Sequence, residues 1–246
     1  MHLLLPSVYL GPVSCYACLY AAETAVEDRG EHYVKQTYRN RCYIATPQGP
    51  QALALPVERA LGSHTPMRDL RLSDHGNWPR QHWNALVSAY ENSPYFEYYA
   101  DDFRPLYEKP APYLVDFNEG LRETVCSLLG LPCIVSPSSD YVAEPAPDTV
   151  DLRGVLTPKR PDKSELAFRV VPYYQVFRER TGFLPDLSIV DLLFNLGPES
   201  RLILRKSLPV SFSAIYYEKK EKQRKEYLKG ELKKLGYHVV LTKKKD

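Results

Sequence analysis

Several features that would have narrowed the chemistry at once are missing. The 246 residues contain no G-x-S-x-G elbow, no G-x-x-x-x-G-K-[ST] loop and no G-x-G-x-x-G fingerprint, so the familiar serine-hydrolase and nucleotide-binding designs have no support. The six histidines form no H-x-x-H or H-E-x-x-H set, which argues against a zinc hydrolase. No apolar run approaches the roughly 20 residues of a membrane span. The opening MHLLLPSVYLG lacks a basic lead and is broken by Pro6, unlike a secretory signal. These absences set the expectation of a cytoplasmic protein with no transmembrane segment. The five cysteines are odd in number and irregular in spacing, which suits a reducing compartment. Cys15 and Cys18 form a C-x-x-C pair but have no second pair at zinc-like spacing, and read as small core residues. No metal and no cofactor are expected. A net charge of +2 gives no reason to expect nucleic acid as a partner. It hides an asymmetry, because residues 218–246 hold 11 Lys+Arg against 5 Asp+Glu.

What is present is a core. Apolar residues make up 44% of the chain, enough to bury a large domain. HLLLPSVYL reads as a short buried strand, and Val13 to Val26 follows with helix-like spacing. HYVKQTYRNRCYI and QALALPV read as extended runs separated by a hairpin loop at Thr46–Pro50, and MRDLRLS as another extended run. Asn77 is placed to cap a helix with Pro79 in its first turn, and Trp83, Leu86, Val87 and Tyr90 follow at helical spacing. DFNE, from Asp116 to Glu119, has the spacing of an acidic capping box, and Gly130 stops the helix after it. Residues 136–165 are proline-rich and read as an exposed connection carrying a short strand. A further helix is expected from Ser188 to Leu196. Strand, amphipathic helix and strand are expected at the end, with Tyr227, Leu228, Leu232 and Leu235 forming one apolar stripe under lysines. The expected class is α/β or α+β: a single mixed sheet with flanking helices. Residues 1–210 form the main domain, and a basic strand-helix-strand extension at 211–246 packs on it.

The stretch YVKQTYRNRCYI bears the candidate binding chemistry. Read as a strand, its alternation puts Lys35, Thr37, Arg39 and Arg41 on one face and Gln36, Tyr38, Asn40 and Cys42 on the other. Such a cationic row can hold phosphate or carboxylate through charge-assisted hydrogen bonds, and it can equally be a charge-guarded edge strand. His82, at the margin of a helical stripe, has the chemistry of a general acid or base, or of a histidine satisfied at a core edge. The segment from Tyr90 to Phe103 is dense in aromatics and carboxylates, which can line a sugar or nucleotide pocket, although aromatics at helical spacing more often fill a core.

LPSVYLGPVSCYACL, HYVKQTYRNRCYI, LALPV, NWPRQHWNALVSAYENSPYFEYY, LVDFNEGL and GFLPDLSIVDLLFNLGPES together resemble the WbqC-like family, in its Bacteroidetes-type version. Two features depart from that pattern: Leu10-Gly11-Pro12 stands where Pro-Trp is usual, and the basic tail has no counterpart. The resemblance implies a bacterial role in O-antigen or related surface-polysaccharide biosynthesis, with aminoacyl (glycine) or acyl transfer as the suggested activity. It places Tyr9, Lys35, Asn40, Arg41, Trp78, His82, Tyr90, Pro94 and Tyr95 on recurrent motif positions converging on one pocket. On this reading His82 and Lys35 are the catalytic candidates. Tyr9, Arg39, Asn40, Arg41, Trp78, Tyr90 and Tyr95 bind a phosphorylated or carboxylated sugar precursor. A non-catalytic accessory protein of an envelope-biosynthesis complex is the alternative.

Overall fold

β1 (His2–Leu5) sits at the centre of the sheet because three consecutive leucines let it be buried on both faces, the condition a parallel strand must meet. It pairs in parallel with β2 (Thr24–Glu27) on one side and β6 (Thr149–Asp151) on the other, and β2 pairs in parallel with β5 (Val135–Pro137). The strand order is β5-β2-β1-β6. The chain therefore steps outward from β1 to β2 and β5, then returns to the opposite flank of β1, which opens a crevice at the carboxyl ends of the strands. The computed structural model describes residues 1–58, 65–132, 135–146, 149–158, 168–207 and 228–234.

α1 (Val13–Ala21) connects β1 to β2. Helical spacing predicted that it would reach Val26. It stops at Ala21, because Thr24–Glu27 gains more by pairing with β1 across a full register. A second correction concerns the polar stretch. Only Arg41–Thr46 is strand (β3), pairing antiparallel with β4 (Gly49–Ala54) across a turn whose Gly49 has φ 113°, as the hairpin reading anticipated. Residues 35–40 form turns, with Gln36 at φ 61°, so the row from Lys35 to Arg41 is not one pleated face. MRDLRLS is a 3-10 turn at Met67–Asp69 followed by isolated bridges, not a strand.

Helices pack around this frame. α2 (Trp78–Tyr90) has Pro79 in its first turn as expected, but Asn77 adopts φ 46° and its side chain makes no capping bond. α3 (Phe96–Glu108) was not anticipated; it buries Phe96, Ala100, Phe103 and Tyr107 along one stripe. α4 (Leu114–Leu128) starts two residues before Asp116 and ends ahead of Gly130 at φ 59°. α5 (Arg178–Thr181), α6 (Ile189–Leu196) and α7 (Ser200–Lys206) complete the described helices of the main body. Ser188 caps α6 through its hydroxyl, as its position predicts, and Gly197 (φ 52°) closes it where a Cβ would overlap the Tyr95 ring.

The α/β expectation holds, with the parallel and antiparallel strands carried by two separate pieces. Within the C-terminal extension, residues 228–234 are helical, with Leu228 and Leu232 exposed. The two strands expected around that helix, and the boundary near residue 210, lie outside the described residues. Among the described residues, no helix is long and apolar enough to cross a membrane.

Candidate functional site

β2 runs straight into the charged sequence Glu27-Asp28-Arg29-Gly30-Glu31, and the fold buries much of it. Glu27 is 1% exposed, Asp28 is fully buried and Glu31 is 6% exposed. Each buried carboxylate must recover lost hydration through partners. Glu27 accepts from Arg29 Nε at 3.0 Å and pairs with Arg122 of α4. Asp28 Oδ1 accepts the backbone N–H groups of Gly30 (3.0 Å) and Glu31 (3.1 Å), while Oδ2 accepts Arg153 Nη1 at 2.5 Å and the Val142 N–H at 3.3 Å. One side chain thus ties the end of β2 to the segments after β5 and β6. Gly30 permits this closeness, since a Cβ there would overlap the backbone of Asp140 and Tyr141.

Glu31 and Arg39 form a two-point ion pair, Nε to Oε1 at 2.8 Å and Nη2 to Oε2 at 2.5 Å. Arg153 makes a similar fork with Asp151 at the end of β6, Nε to Oδ1 at 3.0 Å and Nη2 to Oδ2 at 2.6 Å. These groups, with His32 and Tyr141, line a cavity of about 590 Å³ at the carboxyl end of the parallel strands. That is where an open α/β sheet with this strand order places its ligand crevice. The two acids on the wall are pushed apart. Burial raises the Glu31 carboxyl above its ordinary range, and Arg39 only partly counters it. Burial acts on Asp151 in the same sense, but the hydrogen bonds of Arg153 outweigh it and hold the carboxyl low. One acid biased toward its protonated form beside another held ionised is an arrangement suited to proton transfer.

The residues singled out in the sequence are distributed over three places. Arg39 is on the cavity wall, 4% exposed. Arg41 is half-buried near Tyr33 and is not among the residues lining the cavity; it has no carboxylate or hydrogen-bond partner among the described residues, and its Nε is buried. Lys35 is exposed on the neighbouring turn. Asn40 faces inward and donates from Nδ2 to the Leu55 carbonyl at 3.0 Å.

Tyr9, Trp78 and His82 converge, but in the core. His82 Nδ1 lies 2.9 Å from the Tyr9 hydroxyl, which is 2.9 Å from the Tyr107 hydroxyl, and Trp78 packs edge-on against the imidazole. Burial lowers the His82 pKa to about 4, with the Ala54 carbonyl partly offsetting it, so the ring is neutral near pH 7. His82 is not among the residues lining the cavity described above. Tyr90 donates to Asp191 Oδ1 at 3.0 Å and accepts from the Ala45 N–H at 3.2 Å; Tyr95 lies over Gly197 and stacks on Tyr99. Among the described residues, no group of three or more His, Cys, Asp or Glu side chains could hold a metal.

Sequence reasoning missed Asp28, Glu31, Asp151 and Arg153. For Asp28 and Glu31 the available signal was the run of mixed charges directly after a buried strand, which is costly to place unless partners wait there.

A profile of the WbqC-like protein family matches residues 16–153, which include every residue named on the cavity wall. The uncharacterized protein Rv1507c of Mycobacterium tuberculosis is 32% identical over 194 residues, covering 70% of this chain and 84% of that protein. No solved structure matches.

Proposed function

The chain belongs to the WbqC-like protein family, and on that footing we propose that it is a transferase modifying a sugar or glycan precursor by aminoacyl or acyl transfer. Its setting would be cytoplasmic O-antigen or surface-polysaccharide biosynthesis in a Bacteroidetes-type organism. The observation that carries the proposal is the open cavity of about 590 Å³ where two carboxylates of opposite bias meet two fixed guanidinium groups. In this scheme Glu31 removes the proton from the accepting group, a role it is better placed for than the core-bound His82. Arg39 and Arg153 hold the acids in position. Arg41, which lacks a carboxylate partner among the described residues, and the exposed Lys35 meet the phosphoryl or carboxylate group of the precursor.

The test is to incubate the purified chain with nucleotide-sugars and activated acyl or aminoacyl donors and follow mass gain of the sugar. Product should form with the wild type, fail with Glu31→Gln, and require higher precursor concentration with Arg41→Ala. A second reading, a non-catalytic accessory protein, is favoured by Leu228 and Leu232, exposed on a helix among lysines. No ligand binding together with lost partner association in Leu228→Ser/Leu232→Ser would support it over catalysis.

A further inference from the structure

The two guanidinium groups on the cavity wall spend their donors on neighbouring acceptors. Arg153 directs Nε at both Asp151 oxygens, Nη1 at Asp28 and the Val142 carbonyl, and Nη2 at Asp151. Arg39 directs Nε and Nη2 at Glu31, Nη2 also at the Arg153 carbonyl, and Nη1 at Thr37 Oγ1. Each Glu31 oxygen, by contrast, accepts a single hydrogen bond from Arg39 and retains a lone pair. On the wall itself Glu31 and Asp151 stand against Arg39 and Arg153, two carboxylates with two guanidinium groups whose donors are already engaged, while Asp28 lies buried behind them. Tyr141 adds an aromatic wall, its residue 58% exposed, with the Arg153 guanidinium 5.3 Å from the ring centroid. A group that donates hydrogen bonds and carries positive charge fits these surroundings. So does a carbon skeleton with a face that can lie along a ring.

We propose that the acceptor is an amino sugar whose primary ammonium group is directed at Glu31 and Asp151, with its ring against Tyr141. This rests on the reading of the cavity as the transfer site and specifies the acceptor's class. A neutral hydroxyl would use the same lone pairs without the charge assistance an ammonium brings to a carboxylate, and an N-acylated amine would present neither the charge nor three donors. Proton transfer at this site is balanced within the pair. An N–H bond of the ammonium breaks, its electron pair stays on nitrogen as the free amine, and an O–H bond forms on Glu31.

The inference is tested by titrating the full chain with glucosamine, N-acetylglucosamine, glucose and glucose 6-phosphate, read by ligand-observed NMR at millimolar concentration. Glucosamine should bind about tenfold or more tightly than glucose or N-acetylglucosamine, the size of one charge-assisted hydrogen bond. Asp151→Asn should remove that preference. Its side chain is 33% exposed, so this variant is the safer one to fold, and circular dichroism checks that it does. Glu31→Gln should remove it too. Equal binding of the three uncharged or amine-bearing sugars, or a preference that survives Asp151→Asn, overturns the inference. Binding of glucose 6-phosphate without glucosamine overturns it and leaves the transferase reading standing, whereas no binding by any of the four overturns both.

Discussion

His82 offers a quantitative measure of how far the core differs from a working active site. An unfolded chain protonates this imidazole near pH 6.5, whereas in the fold burial lowers its pKa to about 4. Between those values the unfolded state binds a proton that the native state does not. The stability due to the neutral ring is therefore fully present above pH 6.5 and is lost as the pH falls toward 4. A displacement of that size is worth about 3 kcal/mol, and with the residue only 7% exposed little of it is screened away. His82→Gln removes the titration while keeping a donor and an acceptor for the Ala54 carbonyl and the Tyr9 hydroxyl. Urea unfolding of both proteins at pH 7.0, 6.0, 5.0 and 4.5 should show the wild type losing on the order of 2–3 kcal/mol more than the variant across the series. Parallel pH profiles would refute the reasoning. They would mean that the imidazole titrates as a solvated group, which would return it to consideration as a general base.

Asp191 should act in the opposite sense. Its carboxyl is fully buried among Tyr90, Tyr173 and Gln175 and titrates near 6, because burial outweighs those hydrogen bonds. Acidification from pH 6 toward 4 should thus stabilise the wild type by up to about 3 kcal/mol relative to Asp191→Asn, measured by the same unfolding series. Arg39→Met alone should cost about 3–5 kcal/mol by stranding Glu31, and adding Glu31→Met should restore most of it, a double-mutant cycle that separates pair from burial. Gly30→Ala should displace the backbone at Asp140 and Tyr141, lowering stability by about 2 kcal/mol or more and weakening ligand binding at the cavity, as thermal melts and ligand titration would show. Tyr9→Phe leaves His82 Nδ1 and the Tyr107 hydroxyl without their shared partner and should cost about 1–3 kcal/mol in chemical denaturation.

Legibility in the sequence followed the range of the interactions. The α2 and α6 helices, the Thr46–Gly49 turn and the stop at Gly130 were readable because periodicity, proline and glycine act within a few residues. α3 was readable in principle from the spacing of Phe96, Ala100, Phe103 and Tyr107, but a run this dense in aromatics and carboxylates suits a pocket wall as well as a core stripe. The polar stretch misled because strand alternation and a chain of turns share a composition of Lys, Thr, Arg and Asn. Only Gln36 in the left-handed region, where no glycine announces it, breaks the alternation. The motif residues Tyr9, Trp78 and His82 meet in the core, apart from Lys35 and Arg41, and that meeting place could not be inferred from their identities.

By itself, the sequence determined an α/β chain with a leucine-rich central strand, several well-punctuated helices and membership of a recognisable family. Tertiary structure alone decided which charges are buried and which of them face a cavity. Asp28 meets Arg153 125 positions away and Tyr9 meets His82 across 73, and a charge run after a buried strand says only that partners are needed, not which residues supply them. The parallel sheet makes the difference: by bringing the carboxyl ends of β2 and β6 to the same edge, it gathers these charges into a mutually dependent cluster whose electrostatics exist only once the strands are side by side.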